Sequence, residues 1–205
     1  MDKIKATNIL THKFKTIIEE RENINIPSEN SNIIIYTDGS KDEKNNTGYG
    51  YYIKHTGRCL REAKPLKQFN TVFQAEVIAI DMAAKHLIDF NLKNKSLFFF
   101  SDSQAAIKSL SNLSVRSQTV LNCINSLNKL GQDNSITIKW IPGHKTYEGN
   151  EMDDKLAKYG STINRMFSEK TQMPHATLLE TINQHFTNMK LTRWKGTPIS
   201  ATHSI

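Results

Sequence analysis

The feature that most constrains this chain is a pattern that occurs twice: an apolar strand ending on an aspartate. Ile33-Ile34-Ile35-Tyr36-Thr37-Asp38 runs into Gly39-Ser40, and Leu97-Phe98-Phe99-Phe100-Ser101-Asp102 runs into Ser103-Gln104. Successive strand side chains point to opposite faces, and both faces of these runs are apolar, so each strand belongs inside a sheet covered on both sides. Asp38 and Asp102 then stand where buried strands reach solvent. Each also has an ordinary role open to it. Asp38-Gly39 fits a hairpin turn, and Asp102 or Ser103 fits the cap of a helix over Gln104 to Leu110.

The segments between them give the topology. Gly48 to Lys54 and Arg58 to Lys64 are two further strands, separated by a His55-Thr56-Gly57 turn and closed by Pro65, which with the Asp38 strand make an antiparallel meander. From Thr71 to Ile88 the period changes: Phe73, Val77, Ile80, Ala84 and Leu87 recur at helical spacing. A strand, a helix and a strand form a right-handed crossover, so the Asp38 and Asp102 strands are predicted to be parallel and to end at one edge. Ligands collect at the carboxyl ends of such strands.

Glu76 lies on the apolar stripe of the crossover helix, where a carboxylate must be paired, protonated or cation-bound, unless it snorkels out at the helix edge. A helix from about Arg116 to Leu130, ended by Gly131, precedes a strand from Ser135 to Ile141. Pro142-Gly143-His144 turns the chain there, and His144 taken alone fits a solvated loop residue. A last core helix opens at Asn150, with Met152, Leu156 and Tyr159 predicted on its buried side. Acids in its first turn also suit the helix dipole. Periodicity does not single out Asp154 there, and Asp153 lies nearer the apolar edge.

The expected architecture is α/β: a five-stranded mixed sheet, with a three-strand antiparallel meander and parallel strands, flanked by helices. Residues 32–161 form the main domain. Residues 1–31 are predicted as an amphipathic helix (Ile9, Leu10, Phe14, Ile17 and Ile18) and a polar linker. Residues 162–205 are predicted as a linker and helical extension, with a capping box at Thr177 to Glu180 and a stripe of Leu178, Ile182, Phe186 and Met189.

Charge narrows the chemistry. The chain carries 27 Lys and Arg against 20 Asp and Glu, a net of +7, which favours an anionic partner. Within this basic chain Asp38, Glu76, Asp102 and Asp153 or Asp154 converge at one sheet edge, and like charges that close cannot all ionise without a cation. Oxygen ligands with room for water select Mg²⁺ or Mn²⁺. Two such ions, about 3.5 to 4 Å apart, clamp the attacking and leaving oxygens of a phosphodiester. Cys59 and Cys123 make neither a disulfide framework nor a zinc spacing, and no signal peptide or membrane span is apparent, so an intracellular protein, cytoplasmic or nuclear, is expected.

Five motifs in order, Tyr36-Thr37-Asp38-Gly39-Ser40, Thr71-Val72-Phe73-Gln74-Ala75-Glu76, Ser101-Asp102-Ser103-Gln104, Trp140-Ile141-Pro142-Gly143-His144 and Gly149-Asn150-Glu151 with Asp154-Lys155-Leu156-Ala157, resemble the signature of type 1 ribonuclease H over about Asn32 to Gly160. Their wording is most similar to the domains of non-LTR retrotransposons, which follow a reverse transcriptase in a polyprotein. The resemblance implies the ribonuclease H-like fold and endonucleolytic hydrolysis of the RNA strand of an RNA/DNA hybrid, leaving a 3′-hydroxyl and a 5′-phosphate. It implies two Mg²⁺ ions held by Asp38, Glu76, Asp102 and Asp154, with Mn²⁺ as a substitute. Asp154 is implied over Asp153 because the family's last aspartate lies ten residues after the loop histidine and precedes x-Leu-Ala. His144 is implied to assist proton transfer or product release. Thr71, Gln104, Ser40 and Asn150 are implied as substrate contacts, and the protein as a monomer partnered by hybrid and an upstream reverse transcriptase. Two departures stand out: only Leu113-Ser114-Val115 separates the two helices after Asp102, so a basic protrusion is absent, and Asp153 occupies a position that is usually small. Two alternatives share the fold. One is a weak or inactive hybrid-binding module of a relic or domesticated retroelement. The other is a transposase or integrase relative acting on DNA, against which the Glu between the first two aspartates and the G-N-E…D-K-L-A segment both count.

Overall fold

The computed structural model describes residues 2–67, 69–143 and 148–163. Its strands are β1 (Lys3–Asn8), β2 (Lys15–Ile17), β3 (Asn32–Lys41), β4 (Thr47–His55), β5 (Arg58–Pro65), β6 (Ser96–Ser101), β7 (Ser114–Ser117) and β8 (Ser135–Trp140). Its helices are α1 (Val72–Asp89), α2 (Gln104–Leu110), α3 (Gln118–Leu130) and α4 (Glu148–Thr162). The main sheet runs β2-β8-β6-β3-β4-β5. Strands β3, β4 and β5 form the expected antiparallel meander, while β3, β6 and β8 are parallel. The five expected strands are all present, and β2 adds a sixth by pairing parallel to β8 at the edge. None of the described helices is long and apolar enough to cross a membrane.

Alternation along β3 divides the core. Ile33 and Ile35 join the larger cluster, under α1 and α3, whereas Ile34 and Tyr36 join a smaller one with Tyr52, Phe100 and Ile141. Met152 and Leu156 of α4 cover the second cluster, together with Ile24 and Ile26. The central strands are thus roofed on both faces, as their apolar runs require.

Three expectations are corrected. The helix read over Ile4 to Glu20 is replaced by β1 and β2. Strand β1 pairs antiparallel to β7 in a two-stranded sheet, and Phe14 is buried while Leu10 is 95 % exposed. Ile and Thr tolerate either structure, and the open edges of β7 and β8 decide in favour of strand. Second, no turn follows Asp38. Strand β3 continues to Lys41 with Asp38 opposite Gly50, and the chain reverses at Asp42 to Asn46, where the Asp42 carboxylate accepts hydrogen bonds from the Asn46 backbone and side-chain amides (2.6 and 2.7 Å). Third, Tyr159 is not on the buried side of α4 but 62 % exposed.

The packing of α4 explains that rotation. Its buried positions are Gly149, Asn150, Asp153, Ala157, Gly160 and Ser161, small or polar residues at helical spacing. They face the glycines of β4: a Cβ on Gly50 would lie 2.5 Å from the backbone nitrogen of Ala157, and one on Gly48 would strike the backbone of Gly160 and Ser161. Bare backbone lets the helix lie directly on the strand, so small residues form the contact and larger ones flank it. The helical extension expected beyond α4 lies outside the described residues.

Candidate active site

The two strand-terminal aspartates are brought together as the crossover predicted. Pairing between β3 and β6 ends at Tyr36 and Phe100, so Asp38 and Asp102 each lie two residues past the same rung. Beyond it Thr37 donates a hydrogen bond from Oγ1 to the Phe100 carbonyl (3.3 Å).

Helix α1 delivers Glu76. Its start is fixed by a capping box, in which Thr71 Oγ1 accepts from the Gln74 amide (3.1 Å) and Gln74 Oε1 accepts from the Thr71 amide (3.2 Å). Glu76 lies one turn further on and is only 6 % exposed. Gly39 permits the approach, because any Cβ there would collide with the backbone of Ala75 and Glu76. The glycine serves a close contact rather than the turn expected from Asp-Gly.

Asp102 is held by the segment after β8. Trp140 donates its indole N–H to the Asp102 carbonyl (2.9 Å), and the Ile141 amide donates to the Ser101 carbonyl (3.0 Å). A Cβ on Gly143 would stand 2.6 Å from Asp102 Oδ2, so the carboxylate lies against a bare backbone. Ser103, not Asp102, caps α2, accepting from the Ala106 amide (3.3 Å). In the sequence Ser103 stood out as a possible cap and Trp140 to Gly143 as part of a motif, but not as supports of Asp102.

One oxygen each from Asp38, Glu76 and Asp102 lie within 4.8 Å of one another. Burial, then the charges of Asp102 and Asp154, push the Asp38 carboxyl up to about 7. Burial, then Asp38 and Asp102, hold Glu76 well above the usual carboxylate range. Hydrogen bonding between the two carboxyls raises Glu76 further and draws Asp38 down, while the Gly39 backbone amide favours the charged form of each. Glu76 Oε2 is buried with no hydrogen-bond partner.

Helix α4 closes the site. Asp38, Asp102, Asn150, Glu151, Asp153 and Asp154 line a cavity of about 60 Å³. Asp154 stands at its outer side, with Oδ2 2.7 Å from the Lys158 ammonium. Asp153 is 1 % exposed, and burial, then Asp38, raise its carboxyl to about 9. Of the expected substrate contacts, Asn150 lines the cavity, Thr71 is the α1 cap, Ser40 continues β3 opposite Gly48, and Gln104 opens α2 with Oε1 accepting from Lys108 (3.3 Å). His144 lies outside the described residues.

Several carboxyls are thus held close by buried elements, with an orphaned oxygen on Glu76. Oxygen-only donors that cannot ionise together unaided suit a hard divalent cation. Asp38, Glu76 and Asp102 fit that role as they stand.

Comparison with solved structures supports the same fold. Ribonuclease H1 of the halophilic archaeon Halobacterium salinarum NRC-1 is 21 % identical, covering 63 % of this chain and 96 % of its own, with a TM-score of 0.50. The N-terminal ribonuclease H domain of a Mycobacterium tuberculosis protein, solved as a fusion with maltose-binding protein, is 17 % identical, covering 63 % of this chain and 98 % of its own, with a TM-score of 0.52. The RNase H family model matches residues 30–162, more than half of the sequence, and so takes in every carboxylate of the site. The chain belongs to the RNase H family, divalent-metal-dependent nucleases that cleave RNA in RNA/DNA hybrids.

Proposed function

We propose that this chain hydrolyses the RNA strand of RNA/DNA hybrids internally, leaving a 3′-hydroxyl and a 5′-phosphate, with two Mg²⁺ ions held by Asp38, Glu76, Asp102 and Asp154 and with Mn²⁺ able to substitute. The observation that carries this is the meeting of Asp38, Glu76 and Asp102 oxygens within 4.8 Å at one sheet edge. Bound divalent cations supply Lewis acidity, lowering the pKa of an attacking water and offsetting charge on the leaving oxygen.

The protein's own part is positioning. Strand β3 fixes Asp38, the capped start of α1 orients Glu76, and Trp140 with Gly143 fixes Asp102. The set is preorganised before substrate arrives, so little reorganisation opposes the reaction. Asn150 holds the cavity wall, while Ser40, Thr71 and Gln104 lie on the elements that flank it and contact the two strands. RNA is told from DNA through its 2′-hydroxyls in the wide minor groove. By resemblance His144 assists proton transfer or product release. The retrotransposon-like wording of the motifs supports a position downstream of a reverse transcriptase, with residues 32–161 as a monomeric catalytic unit and 162–205 as an extension.

The test presents one labelled sequence as RNA/DNA, RNA/RNA and DNA/DNA duplexes with Mg²⁺ or Mn²⁺. Internal cleavage confined to the RNA of the hybrid is expected. Hybrid binding without cleavage in either cation would convert the assignment to a binding module, and cleavage of duplex DNA alone would make it a DNA-acting relative.

A further inference from the structure

We propose that Asp153 is a carboxylate of the same cation site as Asp38, Glu76 and Asp102, so that α4 contributes to it from its buried face as well as from Asp154 at the rim. The inference rests on the cation-dependent reading above and adds a residue that the family pattern does not use.

The geometry follows from how α4 lies on the sheet. Alternation along β3 puts Asp38 on the side of Ile34 and Tyr36, which is the side α4 covers. Asp38 is paired with Gly50, and Gly50 lies directly under Ala157. Asp153 is one turn before Ala157 on the same helix face, which brings it over the strand toward Asp38, and the two residues line one cavity with Asp102. Gly149, a turn earlier, lies against the Tyr36 ring, where any Cβ would strike it, so the first turns of α4 sit close on the sheet.

Burial makes that placement consequential. Asp153 Oδ1 accepts a hydrogen bond from the Asp154 amide (2.8 Å), but Oδ2 is buried with no partner. A buried carboxylate oxygen left unsatisfied is costly, and here no lysine or arginine is paired with it among the described residues. Asp154, by contrast, has the Lys158 ammonium and is part-exposed. Of the two neighbours, Asp153 is the one whose free oxygen lies inside the protein beside Asp38. A divalent cation among these carboxyls would satisfy it, whereas a small apolar residue at this position would leave the cavity with one acid fewer.

The experiment is a calorimetric Mn²⁺ titration of the full chain, without nucleic acid, for the wild type, Asp153→Asn, Asp153→Ala and Asp102→Asn, with metal-free melting curves alongside. Mn²⁺ binding by the Asp153 variants is expected to weaken roughly tenfold, in the range that supporting groups of metal sites show, while their metal-free melting temperatures hold or rise because a buried unpaired acid has been removed. Unchanged Mn²⁺ binding in both Asp153 variants, with weakened binding in Asp102→Asn, would overturn the role of Asp153 and leave the triad standing. Failure of the wild type to bind, or full binding by Asp102→Asn, would overturn the cation site itself and this inference with it. A fall in the metal-free melting temperature of both Asp153 variants with unaltered Mn²⁺ affinity would make Asp153 a structural residue of α4.

Discussion

Removing the charge of Asp38 should stabilise the metal-free protein and abolish its activity. In the fold the Asp38 carboxyl is pushed from its ordinary 3.8 to about 7, by burial and then by Asp102 and Asp154. In the unfolded chain it ionises near its ordinary value. The folded state therefore holds a proton that the unfolded state has lost between about pH 4 and 7, so the associated stability is fully present below pH 4 and is lost as the pH rises through 7. At about 1.4 kcal/mol per pH unit the full difference is about 4 kcal/mol. Asparagine keeps the shape but not the acceptor pair facing the Gly39 amide, so about half of that is a fair expectation for Asp38→Asn at pH 8. For a domain of this size that is a rise of about 4–8 °C in melting temperature. The assay is thermal melting of both proteins in chelator at pH 5 and pH 8, then at pH 8 with saturating Mg²⁺. The gap should be small at pH 5, largest at pH 8, and reversed with metal, which stabilises only the protein that binds it. Equal melting temperatures in chelator at both pH values would refute the claim that Asp38 is held as a strained acid awaiting a cation.

Other outcomes follow from the same packing. Gly143→Ala should lower kcat at least tenfold with a melting temperature near wild type, since its methyl would displace the Asp102 carboxylate; steady-state kinetics on a hybrid beside a melting curve decides. Glu76→Gln should abolish turnover yet leave a folded protein no less stable without metal, checked by cleavage and melting in chelator. Asp2→Ala should cost about 1–2 kcal/mol in denaturant unfolding, because Asp2 accepts from the Thr119 amide and hydroxyl (2.8 and 2.7 Å) and from the Ser117 hydroxyl (2.8 Å) at the start of α3.

What the sequence disclosed depended on how local the cause was. The apolar runs before Asp38 and Asp102 can be satisfied only inside a sheet, so the parallel pairing and the meeting of the two acids were legible from alternation and handedness. Glu76 was legible as an acid on an apolar stripe. Asp38-Gly39 was misread because a glycine demanded by contact with α1 looks in sequence like one demanded by a turn. Strands β1 and β2 were misread because short Ile- and Thr-bearing segments take the structure their neighbours offer, and those neighbours are more than a hundred residues away. On α4, Met152 and Leu156 pack as periodicity predicts, but Tyr159 was misplaced because the helix rests on bare β4 backbone at Gly48 and Gly50, which favours small residues at the contact. Asp153 was legible as the acid nearer the apolar edge, though not as one almost wholly buried.

The most direct measurement is single-turnover cleavage of an end-labelled RNA strand in an RNA/DNA hybrid by the full chain in Mg²⁺, set against Asp102→Asn. The wild type should cut the RNA internally and stop when chelator is added, while the variant, folded by its melting curve and still binding hybrid, should be slower by several orders of magnitude. Cleavage by Asp102→Asn at the wild-type rate, or wild-type cleavage that persists in chelator, would contradict the assignment of the reaction to these carboxylates.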